Sequence, residues 1–188
     1  MEEAKLIASD INKGLLKPLY LFFGEEPYYI DALSDLMQER VLPEESKAFN
    51  QLIVYGKDTQ IDEIVSQAKR YPMMSEKQLI IVKEAQHLSR QMDQLFDYAN
   101  KPLSSTVLVI CYKYNKLDKR KAVYKAFKKN GVLLESNKLY DNKVPAWITD
   151  YMRQQGFQVT PHAAHLLFEF LGTDLSKIAK EVGKLAIV

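Results

Sequence analysis

Short apolar runs alternate with amphipathic segments from residue 19 to residue 134, and this alternation constrains the fold more than any other feature. A short apolar run without polar interruption is typical of a strand that is buried on both faces. Between the runs, apolar residues recur with a helical period, as at Ile30, Leu33 and Met37. Strands separated by helices predict a parallel sheet with right-handed crossovers. The predicted strands are 19–23, 51–55, 79–82, 106–111 and 132–134.

After about residue 140, the pattern changes to amphipathic helices alone. Thr160 followed by Pro161 predicts a helix start, because threonine caps a helix and proline fits its first turn. We therefore expect an α/β domain at residues 1–140 and a small helical domain at residues 141–188, with a hinge at 137–144. The helical pattern is still running at Val188, which predicts that further sequence follows in the complete protein.

Composition and charge exclude several classes of protein. The net charge of +2 is too small to indicate nucleic-acid binding by itself. The single cysteine, Cys111, excludes an intrachain disulfide, and its place in an apolar run predicts a buried thiol in a reducing compartment. No apolar stretch approaches the roughly 20 residues that span a bilayer, so we expect a cytoplasmic protein. No catalytic pair, metal-ligand cluster or cofactor motif stands out, and none is predicted.

The turn after the first strand is the first place to look for chemistry, because ligands bind beyond the carboxyl ends of parallel strands. A P-loop needs a glycine-rich turn, a lysine and a Ser/Thr hydroxyl. Gly24 is present, but residues 29–31 replace the Gly-Lys-Ser/Thr sequence, and Glu25 and Glu26 add charge that opposes a triphosphate. The pattern predicts a degenerate nucleotide site; an ordinary turn that never held a nucleotide is the alternative. The residues of this site are Gly24, Glu25, Glu26, Pro27, Tyr29, Ile30 and Asp31.

The third strand shows a second defect of the same kind. A Walker B strand ends in Asp-Glu, and its aspartate holds Mg²⁺. Lys83 occupies the aspartate position here, where a cation would repel the metal, and Glu84 has no metal-binding neighbour to work with. Two defective sites at corresponding strand ends favour a nucleotidase fold that has lost its chemistry.

Several segments together resemble the delta subunit of the bacterial DNA polymerase III clamp loader, in the right order along nearly the whole chain. No single motif is specific, but the combination is. The resemblance implies an AAA+-like five-stranded parallel sheet with flanking helices and no working P-loop, followed by a small helical lid domain. The family's third, collar domain has no counterpart in this chain. The segments are 18–28, 73–82, 117–121 and 173–185.

The resemblance also implies a function. A subunit of this family binds and opens the ring-shaped sliding clamp, the beta subunit, so that the clamp can be loaded onto primed DNA. The implied partners are the clamp, the gamma/tau and delta prime loader subunits, and primed DNA within the assembled loader. ATP switching would come from the neighbouring subunits, so no ATPase activity is expected. The implied location is the bacterial cytoplasm, at the replisome.

The segment between the second helix and the third strand is where the family carries the apolar side chains that enter the clamp. It reads Tyr71, Pro72, Met73 and Met74 here, with methionines where leucine and phenylalanine are common. Two adjacent large apolar residues after a proline, in a loop bounded by charges, cannot both face one core. Methionine is flexible and suits an adaptable binding surface. The alternative is that both methionines belong to the core.

A basic stretch follows the fourth strand and includes Lys119, Arg120, Lys121 and Lys125. These side chains could contact DNA phosphates, although a solvated helix face is the alternative and no interleaved aromatic residues suggest base stacking. Two other functions stay open from the residues alone. One is an active P-loop-type NTPase with an atypical loop, and the other is a DNA-binding module that uses the basic helix.

Overall fold

The computed structural model describes residues 2–185. The chain divides into two compact units, one ending at Ser136 and the other beginning at Asn137. The predicted domain 1–140 begins one residue before the described part. The last three residues of the predicted domain 141–188 also lie outside the described residues.

The predicted strands are all present, and they form one parallel sheet in the first unit. The strand order across the sheet is β2-β3-β4-β1-β5, so the first strand lies between the fourth and the fifth. The predicted five-stranded α/β architecture is therefore confirmed. The strands are β1 Leu19–Gly24, β2 Gln51–Tyr55, β3 Gln78–Lys83, β4 Thr106–Lys113 and β5 Val132–Glu135.

Helices flank the sheet in the first unit and make up the second unit. In the first unit they are α1 Glu2–Asn12, α2 Pro27–Arg40, α3 Glu44–Asn50, α4 Ile61–Ala68, α5 Phe96–Asn100 and α6 Ala122–Asn130. In the second unit they are α7 Val144–Gln154, α8 Pro161–Leu171 and α9 Leu175–Leu185. Short 3₁₀ turns cover Ala85–Leu88, Met92–Leu95 and Asp141–Lys143.

The core of the first unit consists of two apolar layers, one on each face of the sheet. Alternate residues of β1 enter opposite layers because side chains alternate across a strand. Leu21 packs in the layer that contains α4 and α6 residues, whereas Phe22 packs in the layer that contains α1 and α2 residues. Burial on both faces explains why β1 is apolar without interruption. Cys111 is buried in the second layer, as predicted.

Two local predictions were wrong. The apolar spacing of Met92, Leu95, Phe96 and Ala99 predicts one helix capped by Ser89, but the structure has a 3₁₀ turn at Met92–Leu95 followed by the short helix α5. Gln91 lies in this segment and bonds to the start of α4: its Oε1 accepts the Ile61 N–H (3.3 Å) and its Nε2 donates to Gln60 Oε1 (2.6 Å). Asp58 and Thr59, whose side chains favour N-cap positions, predict the start of α4 from the sequence, but its N-cap is Gln60. Helices α1 and α3 were not predicted.

The start signal in the helical unit was predicted correctly. Thr160 is the N-cap of α8, and its Oγ1 accepts the backbone N–H of Ala163 (3.2 Å). Asp174 precedes α9 and accepts the N–H of Lys177 in the same way (2.9 Å). Both helices therefore begin where the side chain of a polar residue satisfies a free backbone donor.

The parallel arrangement separates two regions of the first unit. All strand carboxyl ends lie at one end of the sheet, called here the carboxyl end, and all strand starts lie at the other, the amino end. A six-residue strand rises about 3.3 Å per residue, so the two ends lie roughly 20 Å apart. The predicted nucleotide-site residues lie at the carboxyl end, and the loop with Met73 and Met74 lies at the amino end.

Candidate functional site

Gly24 ends β1 at the carboxyl end of the sheet, and its lack of a side chain is explained by strand packing. Its φ is +137°, and a Cβ there would lie 2.1 Å from the backbone oxygen of Ser136. Ser136 follows β5 and donates its N–H to the Phe23 oxygen (2.7 Å), while its own oxygen accepts the Glu26 N–H (3.0 Å). The close approach of another strand therefore requires glycine here, without any phosphate.

Glu26 occupies the N-terminus of α2 with its own carboxylate. The side chain is 3% exposed, and Oε1 accepts the N–H of Tyr28 (3.0 Å). Pro27, the first residue of the helix, has no N–H to offer. A helix N-terminus attracts anions through its free N–H groups and its dipole. In this chain an internal carboxylate already lies where a phosphate would bind.

Two lysines at the carboxyl end of the sheet form ion pairs with α2. Lys113 Nζ at the end of β4 lies 2.6 Å from Asp31 Oδ1. Lys83 Nζ at the end of β3 lies 2.9 Å from Asp35 Oδ1, one helical turn further along α2. Both lysine side chains are largely buried, with 11% and 20% exposure for Lys113 and Lys83. Each lysine of β3 and β4 therefore faces a carboxylate of α2, so the charges between α2 and these strands are paired.

Lys83 keeps its positive charge at neutral pH. Burial lowers the pKa of Lys83, but the hydrogen bond that Lys83 donates to Asp35 and the negative charge of that carboxylate outweigh burial, so the pKa is raised above its usual value. The residue is therefore a cation at neutral pH. A cation at the position that the sequence predicts for a Walker B aspartate opposes Mg²⁺ binding.

Glu84, the other Walker B position, is held in an unusual backbone conformation. Its φ is +54°, in the left-handed region, and its Oε2 lies 3.7 Å from His87 Nε2. A Cβ on Gly56 would lie 2.5 Å from the Glu84 oxygen, so the two backbones are in close contact. Within residues 2–185, no group of three or more His, Cys, Asp or Glu side chains could hold a metal ion.

The loop at the amino end of the sheet exposes several large apolar side chains. This methionine loop, residues 69–77, joins α4 to β3. Met74 is fully exposed, while Met73 and Tyr71 are 61% and 82% exposed. Pro72 between them is half-buried. The structure therefore places the predicted clamp-binding residues together on the surface, and the alternative that both methionines are core residues is wrong.

Hydrogen bonds fix the methionine loop at its middle and near its start. Asn50 Oδ1 accepts the N–H of Met73 (2.6 Å), and Asn50 Nδ2 donates to the oxygen of Met73 (2.9 Å). Near the start of the loop, the Arg70 oxygen accepts from Gln78 Nε2 (2.6 Å), which also donates to Thr106 Oγ1 (2.8 Å). Met74 follows the fixed Met73 with a φ of +52°. Residues other than glycine and asparagine rarely adopt this left-handed conformation. The neighbouring hydrogen bonds must therefore stabilise the backbone of Met74.

Sequence reasoning missed Phe49 and Asn50, which end the unpredicted helix α3. Phe49 is 72% exposed and Asn50 is 5% exposed. The available signal was Pro43 followed by Glu44 and Glu45, a typical helix start with acidic residues in the first turn. The contact between Asn50 and Met73 spans 23 positions and leaves no local pattern.

Three of the four predicted DNA-contact residues form ion pairs with carboxylates. Lys119 pairs with Glu135 (2.6 Å), Arg120 with Asp118 (2.9 Å) and Lys121 with Asp93 (2.8 Å). The hydrogen bonds and charge of Arg120 hold the pKa of Asp118 at about 2. The fourth residue, Lys125, is exposed on α6.

Solved structures define the class of fold. The chain superposes on the Bacillus subtilis DNA clamp loader delta protein with a TM-score of 0.80, at 24% identity over 98% of this chain and 57% of that one. It also matches a Thermotoga maritima DNA polymerase III gamma subunit-related protein (TM-score 0.56, 17% identity, 97% and 58% covered). The Thermotoga maritima RuvB Holliday junction branch migration motor matches with a TM-score of 0.55 at 9% identity, with 97% and 59% covered. The fold is AAA+-like.

The family follows from the sequence comparison. Residues 20–137 match the model of the family described as DNA polymerase III, delta subunit. This match covers more than half of the chain, and the chain belongs to that family. It is 26% identical to DNA polymerase III subunit delta of Bacillus subtilis over 184 residues, which cover 93% of this chain and 53% of that protein. The chain thus spans about half the length of the relatives it matches. The resemblance stated from the sequence is confirmed.

The helices carry no indication of a membrane span. In the part of the chain that the structure describes, none is long and apolar enough to cross a bilayer.

Proposed function

We propose that this chain binds the ring-shaped sliding clamp through the methionine loop and opens it for loading onto primed DNA. The observation that carries the proposal is the full exposure of Met74 beside exposed Met73 and Tyr71, on a loop whose backbone is hydrogen-bonded to neighbouring side chains. Exposed apolar patches mark interaction surfaces. Family membership gives the partner its identity, and Pro72 completes the proposed contact surface.

The fixed conformation of the loop favours tight binding. Binding usually costs free energy because side chains and loops must become ordered. Asn50 and Gln78 fix the backbone at Met73 and at Arg70, both of which precede Met74, before any partner arrives. Burial of one such side chain contributes about 1.5–3 kcal/mol, so the two methionines are large enough to be the centre of the interface.

We also propose that the chain neither binds nor hydrolyses ATP. The support is the internal occupation of the carboxyl end: Glu26 caps α2, and Lys83 and Lys113 pair with aspartates of the same helix. A nucleotide would have to displace the Glu26 side chain and break the two ion pairs. Its phosphates would then be repelled by the freed carboxylates. In this proposal, ATP switching belongs to neighbouring motor subunits of a bacterial cytoplasmic loader, in which this chain assembles with the gamma/tau and delta prime subunits at the replisome.

Contact with primed DNA is a secondary part of the proposal. Lys125 is exposed, and Lys119, Arg120 and Lys121 would exchange a carboxylate for a phosphate on contact. Each exchange yields little free energy because surface ion pairs are weak in either case. We therefore assign this surface a role in steering DNA within the assembled loader, and the clamp remains the primary partner.

A binding titration with the clamp tests the main proposal. The clamp protein of the same organism is titrated against the wild-type chain and against the variants Met73→Ala and Met74→Ala. We expect each variant to weaken binding by about 1–3 kcal/mol while the melting temperature stays unchanged. The matched control is Leu6→Ala, because Leu6 is an exposed aliphatic residue of α1 (65% exposed). The proposal fails if the wild type does not bind, or if both methionine variants bind as tightly as the control.

A further inference from the structure

Phe49 adds a fourth large apolar side chain to the amino end of the sheet. It is 72% exposed at the end of α3, whereas Phe22 and Phe23 of β1 and Phe127 of α6 are fully buried. A buried aromatic side chain removes about 150–250 Å² from water. A ring of this size left in solvent beside other exposed apolar residues is typical of a contact surface rather than of isolated exposure.

Sheet register brings Phe49 next to the methionine loop. Asn50 leads directly into β2 at Gln51, and the methionine loop leads directly into β3 at Gln78. These two strands are neighbours, with Gln51 opposite Leu79. The end of α3 and the end of the methionine loop therefore emerge side by side from the same end of the sheet.

Asn50 links the two segments. It is nine-tenths buried, and its amide group bonds to both the N–H and the oxygen of Met73. It also donates to the Ser46 oxygen one turn earlier in α3 (3.2 Å). Consecutive Cα atoms are about 3.8 Å apart, so Phe49 begins one residue away from the point where the loop is fixed.

We propose that the end of α3 is a second element of the clamp-binding surface. Phe49 buries its ring against the clamp, and Asn50 is a positioning residue that holds Met73 and Met74 in their binding conformation. This inference rests on the proposed clamp binding, which identifies the occupant, because Phe49 is continuous with the methionine loop through Asn50. Aromatic anchors at the centre of an interface contribute a disproportionate share of affinity.

Clamp titrations with variants of the 188-residue chain test the contact made by Phe49. We expect Phe49→Ala to weaken clamp binding about tenfold or more, with an unchanged melting temperature because the ring is exposed. Tyr114→Ala is the matched control: Tyr114 is a 61% exposed aromatic residue directly after β4, at the opposite end of the sheet. We expect the affinity of Tyr114→Ala for the clamp to stay within about twofold of the wild-type affinity.

A double-mutant cycle tests the positioning role of Asn50. Asn50→Asp keeps the acceptor for the Met73 N–H but removes the donor to the Met73 oxygen. We expect about a tenfold loss of clamp affinity in the wild-type background and about threefold or less in the Met74→Ala background, because Asn50 acts through the loop. Amide hydrogen exchange at Met73 and Met74 should accelerate in Asn50→Asp.

The outcomes separate this inference from the proposed function. If the wild type does not bind the clamp, the proposed function and this inference both fail. If Met74→Ala weakens binding but Phe49→Ala binds like Tyr114→Ala, only the contact by Phe49 is overturned. If Asn50→Asp causes the same loss in both backgrounds, its effect is a general one on the fold and the positioning role is overturned.

Discussion

The ammonium group of Lys113 lies 2.6 Å from Oδ1 of Asp31, which ties the end of β4 to the first half of α2. A nucleotide-binding sheet of this type leaves that region open for phosphates. Here the region holds an ion pair, a second pair between Lys83 and Asp35, and the capping carboxylate of Glu26. These charged groups at the carboxyl end of the sheet are part of the structural framework, while the exposed methionine loop lies at the amino end.

Removal of Asp31 should destabilise the chain. Asp31→Asn leaves the largely buried ammonium of Lys113 without a charged partner, and a buried charge without compensation is costly. We expect a loss of about 1–3 kcal/mol in the free energy of unfolding, measured by urea denaturation. Glu25→Gln is the control, since Glu25 and Lys116 are both exposed and 3.7 Å apart, and it should change stability by less than about 0.5 kcal/mol. Equal stability of the two variants would contradict the structural role of the buried pair.

Loss of the α2 cap should not restore nucleotide binding. Glu26→Ala removes the side chain that accepts the Tyr28 N–H, and such a cap typically contributes about 0.5–2 kcal/mol. We expect a destabilisation in that range by thermal unfolding. Mg-ATP titrated against the same variant should still produce no saturable heat, because Lys83 and Lys113 keep their pairs with α2. Saturable binding of Mg-ATP would show that the cap alone blocks the site.

Gly24 should tolerate substitution much less well than another glycine with positive φ. Gly24→Ala places a Cβ 2.1 Å from the Ser136 oxygen at a φ of +137°, so strain and overlap add. We expect a loss of roughly 3 kcal/mol or more. At Gly14, which also has a positive φ but no atom within 4 Å of an added Cβ, alanine should cost only about 1–2 kcal/mol. Comparable melting temperatures for the two variants would contradict the proposed strand contact.

Cys111 should make stability depend on pH in the alkaline range. Burial raises the pKa of its thiol to about 12 from an ordinary value of 9.0. Between these values the unfolded chain releases a proton that the folded chain keeps, so stability falls as pH rises above about 9, by about 1.4 kcal/mol per pH unit for this group. Cys111→Ala removes this contribution, and unfolding curves of the two proteins between pH 8 and 10.5 measure it as a difference. Parallel pH profiles would mean that the thiol is not protected in the folded chain.

The sheet could be predicted from the sequence because its physical signal is local. Leu21 and Phe22 belong to a continuous apolar run, and such a run is typical of a strand that is buried on both faces. The segment after β3 could not be predicted in the same way. Its apolar spacing is helical, but Gln91 bonds to the start of α4 and the backbone follows short 3₁₀ turns instead. Such a tertiary contact overrides local propensity.

The candidate site was predictable in part for the same reason. The charge of a side chain follows from its residue type alone. Glu26 therefore indicated that phosphate binding would be unfavourable, and Lys83 indicated the same for metal binding. Their pairing with Asp35 and with the first turn of α2 could not be read, because it depends on how the strands and α2 pack. The exposure of Met74 is likewise set by the bonds from Asn50 to Met73, two segments that are distant in sequence.

Release of the sliding clamp from a closed circular DNA by this chain, without nucleotide, is the decisive measurement of clamp opening. We expect the wild-type chain to release the clamp at a rate that Mg-ATP does not change, and the Met73→Ala, Met74→Ala double variant to release it at least about a hundredfold more slowly at subsaturating concentration. Opening by the methionine loop without ATP would be contradicted if release required ATP, or if the double variant released the clamp as fast as the wild type.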